Sequence, residues 1–417
     1  MDTIKENKNI CIDCRGRIES LHEMVKLTES ERALLSRPRR VFTFGIPVRM
    51  DSGVVRVFNG YRVQYNDALG PTKGGIRYHE EVDLEEVKTL SFLMALKCSL
   101  ADLPFGGGKG GIEVDPTKLS VGELERLTRG YVREIHQFIG PRIDVPAPDV
   151  NTNGQIMAWF VDEYSKIKGE FTPGVVTGKP IELGGSLGRE EATALGGAFV
   201  LENFLKSTKK YKKGLKVAIQ GFGNVGGNMA KILDNWGYKV VAISDVNGAV
   251  YDEKGFAINK VCDAQKGTCK PDHFKGKKIT NQELLYLPVD ILIPAALSKQ
   301  ITSANADKVK AKIIVEMANA PVTEEADAIL EKKGITVIPD ILANSGGVIV
   351  SYFEWVQNSS NEYWTKERVN ESLEEKIGLA FKKAFDFKIK NDMSFREACY
   401  GIAIDRILKA ERMRGTV

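Results

Sequence analysis

A two-domain α/β fold is what this sequence of 417 residues predicts, and three observations carry the prediction. Beyond about residue 183, short apolar runs alternate with helical segments, the grammar of a doubly wound parallel sheet. Before that point, a strand-rich stretch over 41–65 gives way to helical spacing over 83–100. The length itself suits two or three domains at roughly 100–200 residues each.

The elements follow in order. Residues 1–40 read as a charged helical lead-in that closes at Arg37-Pro38-Arg39-Arg40. Apolar and polar residues alternate through Val41, Phe42, Thr43 and Phe44, then again around Val54, Val55, Arg56, Val57 and Phe58, with Asp51-Ser52-Gly53 as the turn between them. Val87, Leu90, Leu93 and Met94 form one stripe of a helix over 83–100. Further helices are expected over 121–138 and, behind an Asn/Thr cap, over 153–167. Leu215 to Gln220 reads as a strand, 224–236 as a helix and Tyr238 to Ser244 as a second strand. Apolar strands recur near 289–294, 312–316 and 335–338, with a helix over 323–333. The end, 365–417, is helical and charged. These readings set a first domain at 1–183, a second at 184–394, and C-terminal helices over 395–417 that return to the first.

Composition excludes several classes of function. Lys+Arg 59 against Asp+Glu 55 leaves a net charge of +4, too weak over this length to imply a nucleic-acid or membrane-surface partner. No apolar run approaches the ~18–20 residues that span a bilayer. The polar, mixed-sign start resembles neither a secretory signal nor a transit peptide, so a cytoplasmic location and small-molecule partners are expected. The cysteines, 6 in number, are too few and uneven for a disulfide framework, and free thiols are the expectation. Cys11 and Cys14 with Cys262 and Cys269 could complete a four-sulfur zinc site, but the spacing is weak and no metal is expected.

Gly221-Phe222-Gly223-Asn224-Val225-Gly226 lies between a predicted strand and a predicted helix. The first glycine permits the tight turn, the second lets backbone approach a pyrophosphate, and the third lets helix pack on strand. The phosphates would meet the positive end of the helix dipole. Asp245 ends the next strand, where a carboxylate accepts from the adenosine ribose 2′-OH and repels a 2′-phosphate. The second domain is therefore expected to be a Rossmann-like dinucleotide-binding domain, with NAD favoured over NADP. Lys254, a few residues on, keeps NADP open.

The first domain holds lysines among glycines. Lys73 precedes Gly74 and Gly75, and Lys109 sits within Gly106 to Gly111, where no side chains keep a small ligand away. Lys97 continues the apolar stripe of the 83–100 helix, and a buried ammonium there calls for an anionic partner. Clustered lysines depress one another's pKa, and a depressed lysine serves as an acid/base near neutrality. Asp149, in Pro146-Ala147-Pro148-Asp149, is either a helix cap or a positioned proton carrier.

Five motifs, in order and spacing, resemble the glutamate dehydrogenases within the wider amino-acid dehydrogenase superfamily: Gly70 to His79, Leu103 to Ile112, Pro146 to Thr152, Gly184 to Thr193 and Asn344 to Ser351. The resemblance runs from about residue 20 to the C-terminus. It implies reversible oxidative deamination of L-glutamate to 2-oxoglutarate and ammonia with NAD(P). It implies that Lys109 is the catalytic lysine and Asp149 the general acid/base. Lys97 matches the position that holds the α-carboxylate, with Gly74 nearby, and Lys73 and Ser351 match those that grip the distal carboxylate. Arg189 and Val348 fall among the substrate-binding positions. Thr193 and Asn344 match contacts to the nicotinamide amide, Asn319 a contact to its ribose, and Asn224 and Val225 the pyrophosphate turn. Small enzymes of this resemblance imply a homohexamer. Two other readings stay open: an amino-acid dehydrogenase of shifted specificity, and a silent paralogue serving as a subunit of a mixed oligomer.

Overall fold

The computed structural model describes residues 11, 14, 18, 26–265 and 269–417, so most of the expected lead-in lies outside the described residues. Two compact units emerge. The first contains the chain up to Leu187 together with Val350–Val369 and Tyr400–Val417; the second contains Gly188–Ile349 and Asn370–Cys399. The sequence reading placed Val350–Val369 in the second domain. No break in composition marks that position, because it falls inside one continuous helix, Gly346–Ser360.

In the first unit, helix α1 (Glu29–Leu35) opens with a capping box in which Thr28 and Glu31 satisfy each other's backbone N–H. Strands β1 (Arg40–Arg49) and β2 (Val55–Asn66) pair antiparallel around a turn where Gly53 takes a φ of +87°. Strand β3 (Thr72–His79), helix α2 (Leu84–Leu100), strand β4 (Gly106–Glu113), helix α3 (Val121–Ile135), strand β5 (Asp144–Pro148) and helix α4 (Gly154–Lys168) follow. The sheet order is β1-β2-β4-β3-β5, and β3 runs parallel to both β4 and β5. Helix α3 stops three residues short of its expected end: the chain breaks into turns after Ile135 and reaches Gly140 at a φ of +156°. Helix α4 begins behind Asn153, whose side chain accepts from the Ile156 N–H.

The sheet has two unlike faces. On one, Ile76, Tyr78 and Ile112 join Leu127, Tyr131 and Ile135 of α3 and Met157 and Phe160 of α4 in a buried core. On the other lies α2, so close that a Cβ at Gly107 would collide with Ser91 and Ala95 of that helix. Side chains alternate along a strand, so Lys73, Gly75 and Arg77 on β3 and Gly107 and Lys109 on β4 point to the α2 face.

The second unit has the expected alternation. Helix α5 (Ala192–Ser207) precedes β6 (Lys216–Gln220), α6 (Asn224–Asn235), β7 (Lys239–Asp245), β8 (Gly248–Tyr251), α7 (Ile258–Asp263), β9 (Lys277–Ile279), α8 (Asn281–Leu285) and β10 (Ile291–Pro294). Strand β11 (Ile313–Val315), helix α9 (Glu324–Lys332), strand β12 (Thr336–Ile338) and the short helix α10 (Asp340–Ala343) complete it. The order β12-β11-β10-β6-β7 is parallel throughout, and β8 and β9 extend it antiparallel. Each expected strand and helix is present within a residue or two, because buried parallel strands read as unbroken apolar runs. Helix α11 (Gly346–Ser360) has its first turn in the second unit and the rest in the first; α12 (Lys366–Asn391) and α13 (Phe395–Met413) end the chain.

The cysteines differ from expectation. Cys11 is bonded to Cys14 and Cys262 to Cys269, while Cys98 and Cys399 are free and buried. Cα separations of 5.2 and 5.1 Å place both pairs within disulfide reach, which spacing in the sequence does not reveal. Among the described residues no helix is long and apolar enough to cross a membrane.

Candidate active site

Strand register assembles the first half of the site. Ile76 on β3 pairs with Pro148 on β5 and with Gly110 on β4, so the residues flanking those pairs, Arg77 on β3, Lys109 on β4 and Asp149 just past the end of β5, become neighbours. Lys109 Nζ lies 3.1 Å from Asp149 Oδ1, and Arg77 Nε donates to Asp149 Oδ2 at 2.8 Å. The carboxylate thus carries a cation on each oxygen. Gly75 makes room for it, since a Cβ there would stand 2.7 Å from the Asp149 Cβ. Asp149 is not a helix cap; Asn153 fills that role.

Burial and charge then set the protonation states. For Lys109, burial pushes the pKa down, the Asp149 charge opposes this, and the Arg77 cation adds to the depression; the result is a lowered value. Burial acts against the Asp149 charge, but Lys109 and Arg77 outweigh it and hold the carboxyl at about 2. The cation that depresses Lys109 is an arginine, where the sequence leads one to expect only neighbouring lysines. Arg77 was missed because an arginine in a strand reads as an exposed edge residue. The register that brings it to Asp149 is non-local.

The remaining first-unit candidates are all buried. Lys73 is 1% exposed and its Nζ donates to the Pro146 carbonyl at 3.4 Å; Lys97, on α2, is 7% exposed. Gly74 has the Gly108 carbonyl against the position of a Cβ, so only glycine fits. Ser351 is buried in α11, in the same unit as the three lysines. Behind the sheet, Arg62 donates through Nε to Asp144 at 2.8 Å and through Nη1 to the Gly74 carbonyl at 3.1 Å, with both partners of the ion pair sealed from solvent.

The second unit assembles the other candidates. Gly221 turns the chain at a φ of +96° after β6, and Gly223 occupies the N-cap of α6 with no side-chain cap on the first-turn N–H groups. Gly226 abuts the Gly221 carbonyl, which is the close helix–strand contact its absent side chain permits. Strands β6 and β10 are neighbours at the point where connections diverge to opposite sides of the sheet, the usual place for a ligand in such a fold. Phe222 is buried, packed edge-on against Phe274 at 5.8 Å, so its ring anchors the turn and only its backbone faces outward. Asn224 Nδ2 donates to the Glu190 carbonyl, and Val225 is half-buried in the first turn of α6. Asp245 closes β7 and accepts from the Asn247 N–H at 2.8 Å.

Asn344 donates to the Ala318 carbonyl at 3.1 Å and to Asn319 Oδ1 at 3.3 Å, while its buried Oδ1 has no hydrogen-bond partner among the described residues. An acceptor in that state suits an amide N–H of a nicotinamide. Gly347 leaves the space where a Cβ would meet Thr193 Oγ1, with an Arg189 guanidinium nitrogen 3.7 Å away; Val348 follows on the same helix. The uncapped helix start, the glycine turn, the terminal Asp245 and the orphaned amide oxygen together fit a dinucleotide.

Known proteins resemble this chain over nearly its whole length. Residues 184–415 match the family described as Glutamate/Leucine/Phenylalanine/Valine dehydrogenase, and residues 38–166 match the Glu/Leu/Phe/Val dehydrogenase dimerisation domain. The chain is 50% identical over 411 residues to the NAD-specific glutamate dehydrogenase of Staphylococcus aureus, covering 98% of this chain and 99% of that one. It superposes on the crystal structure of glutamate dehydrogenase from Peptoniphilus asaccharolyticus with a TM-score of 0.86 at 42% identity, covering 98% of this chain and 100% of that one. It also superposes on the hetero-hexameric glutamate dehydrogenase from Thermus thermophilus with a TM-score of 0.90 at 36% identity, over 96% of this chain and 97% of that one.

Proposed function

This chain belongs to the Glu/Leu/Phe/Val dehydrogenase family, and we propose that it catalyses the reversible oxidative deamination of L-glutamate to 2-oxoglutarate and ammonia with NAD. One observation carries the choice of substrate: two buried lysines, Lys73 and Lys97, stand in the same unit as the Lys109–Asp149 pair. Glutamate brings two carboxylates, which match the two buried cations in number and in sign.

In this reading Lys97 holds the α-carboxylate beside the Gly74 backbone, and Lys73 with Ser351 holds the distal one. Lys109, its pKa lowered by burial, activates the attacking water as the neutral amine and, protonated, polarises the 2-oxoglutarate carbonyl in the opposite direction. Asp149, kept ionised, takes a proton from the substrate ammonium and returns it in the opposite direction. NAD, when bound, supplies the acceptor for the Cα hydride. Gly221–Gly226 and the start of α6 would hold its pyrophosphate, Asp245 its adenosine ribose, and Asn319, Asn344 and Thr193 its nicotinamide end; Arg189 and Val348 keep the substrate-binding roles that the family resemblance gives their positions. The proposal extends to a homohexamer: the hetero-hexameric relative and the dimerisation-domain match support six subunits, and their identity follows the family resemblance; it extends also to the cytoplasm, where NAD and glutamate are both abundant.

The test follows loss of reduced-cofactor absorbance with ammonia, comparing NADH with NADPH and 2-oxoglutarate with 2-oxoisocaproate. Turnover of 2-oxoglutarate with NADH supports the two-lysine pocket. Preference for 2-oxoisocaproate would place Lys73 outside it, and no turnover of either would favour a silent subunit.

A further inference from the structure

The Lys109–Asp149 pair does not stand alone. Arg77 reaches Asp149 with Nε, and its Nη1 donates to Glu86 in the first turn of α2. The Glu86 side chain is 38% exposed, whereas Arg77 is 17% and Lys109 5% exposed. A line of alternating charge therefore runs Lys109, Asp149, Arg77, Glu86, from the buried lysine out to solvent.

We propose that Arg77 is a positioning residue of this active site: it locks one oxygen of Asp149 so that the other faces Lys109, and Glu86 sets how strongly it does so. The inference rests on the roles given above to Lys109 and Asp149. A carboxylate bonded through one oxygen to a fixed guanidinium loses rotation about its Cβ–Cγ bond. Its second oxygen is then held for proton exchange and need not be found by rotation. The same guanidinium is a like charge to Lys109, so it favours the neutral amine, and it is an opposite charge to Asp149, so it favours the carboxylate. Lys109 from β4, Arg77 from β3, Asp149 just past β5 and Glu86 from α2 are the charged groups that act on one another here. Glu86 partly neutralises Arg77. It is the one member of the line that substitution reaches without disturbing buried packing.

Arg77→Leu, Arg77→Lys and Glu86→Gln are compared in the full-length enzyme by kcat and KM for glutamate across pH, with NADH affinity by fluorescence. In Arg77→Leu, kcat at neutral pH falls about 10-fold or more. The limb of kcat/KM that reports loss of the Lys109 proton moves up by about one pH unit, the low end of what a nearby charge does. NADH affinity is unchanged. Arg77→Lys keeps the charge, so the limb stays near its wild-type position while kcat remains reduced. Glu86→Gln moves the limb the other way, to lower pH. Acetic anhydride labelling of Lys109, read by mass spectrometry without substrate, follows the same order at fixed pH, slowest in Arg77→Leu. An Arg77 that only braces the fold would lower kcat with the limb unmoved and leave Glu86→Gln silent; that result overturns the proposal. If Arg77→Leu does not fold, an unmoved limb in Glu86→Gln alone overturns it. Asp149→Asn is run in parallel. Normal turnover there removes the acid/base reading and this proposal with it, whereas loss of turnover beside silent Arg77 and Glu86 variants removes this proposal only.

Discussion

Lys179 and Glu354 meet with both side chains sealed from solvent, Nζ to Oε1 at 2.7 Å. Lys179 also donates to the Val176 carbonyl and to Asn358, and Glu354 accepts from the Gly178 N–H. Burial pushes the Lys179 pKa down and Glu354 resists the shift. Glu354 lies one turn after Ser351 on α11, so the pair pins the helix that carries a proposed substrate contact. Lys179→Met leaves a buried carboxylate uncompensated and is expected to cost about 3–5 kcal/mol in urea unfolding. The double variant Lys179→Met/Glu354→Leu should recover much of that loss, and a double variant no more stable than the single one would contradict this account.

Lys73→Leu with Ser351→Val removes the charge-assisted grip proposed for the distal carboxylate. At about 1.5–3 kcal/mol for a hydrogen bond to a charged group, kcat/KM for glutamate should fall roughly 10- to 100-fold. Monocarboxylic amino acids should gain in the same assay. An unchanged kcat/KM for glutamate would refute the two-lysine pocket.

Asp149→Ser tests the proton carrier. The expected loss in kcat is about 10²–10⁴-fold, the usual scale of general acid–base catalysis. NADH binding should survive, because the dinucleotide candidates lie in the other unit.

Glu316 gives a pH prediction. It is fully buried, bonded through both oxygens to Arg396, with Asp340 and Asp327 also near the guanidinium. Burial raises its pKa, Arg396 opposes and Asp340 adds to the rise, giving about 7 against an ordinary value of 4.5. Between those two values the folded chain keeps a proton that the unfolded chain has released. The resulting stabilisation is fully present below about pH 4.5 and is lost as pH rises through about 7, at no more than about 1.4 kcal/mol per pH unit. Tm should therefore fall from about pH 5 to about pH 8 more steeply in the wild type than in Glu316→Gln. Parallel curves would assign the slope to other groups.

Much of the second unit was legible because its signals are local. The run from Leu215 to Gln220, the glycine turn and the closing Asp245 lie within about one βαβ unit, and periodicity alone finds them. Lys73, Lys97, Lys109 and Asp149 were legible as unusual residue types in glycine and proline settings. Arg77, Arg62 and Glu354 were not, because each matters only through a partner that strand register or helix packing supplies. Arg62 looks like any strand arginine until β2 is laid beside β4, and Asp144 is then found behind the sheet. The allocation of Val350–Val369 is likewise set by tertiary contact, whereas the cysteine pairs, 3 and 7 residues apart, turn on local backbone geometry that residue spacing does not specify.

Gly107 has a consequence for how such a pocket changes over evolutionary time. Because α2 rests on bare backbone there, the distance from the Lys97 helix to the Lys109 strand is set by what is missing from the sheet. Any side chain at 107 would lift the helix and retune every contact on that face at once. New substrate preferences can then arise by exchanging tips such as those of Lys73 and Ser351 one at a time. A family whose very description spans acidic, aliphatic and aromatic amino acids is what a frame with this division between fixed backbone and exchangeable tips would yield.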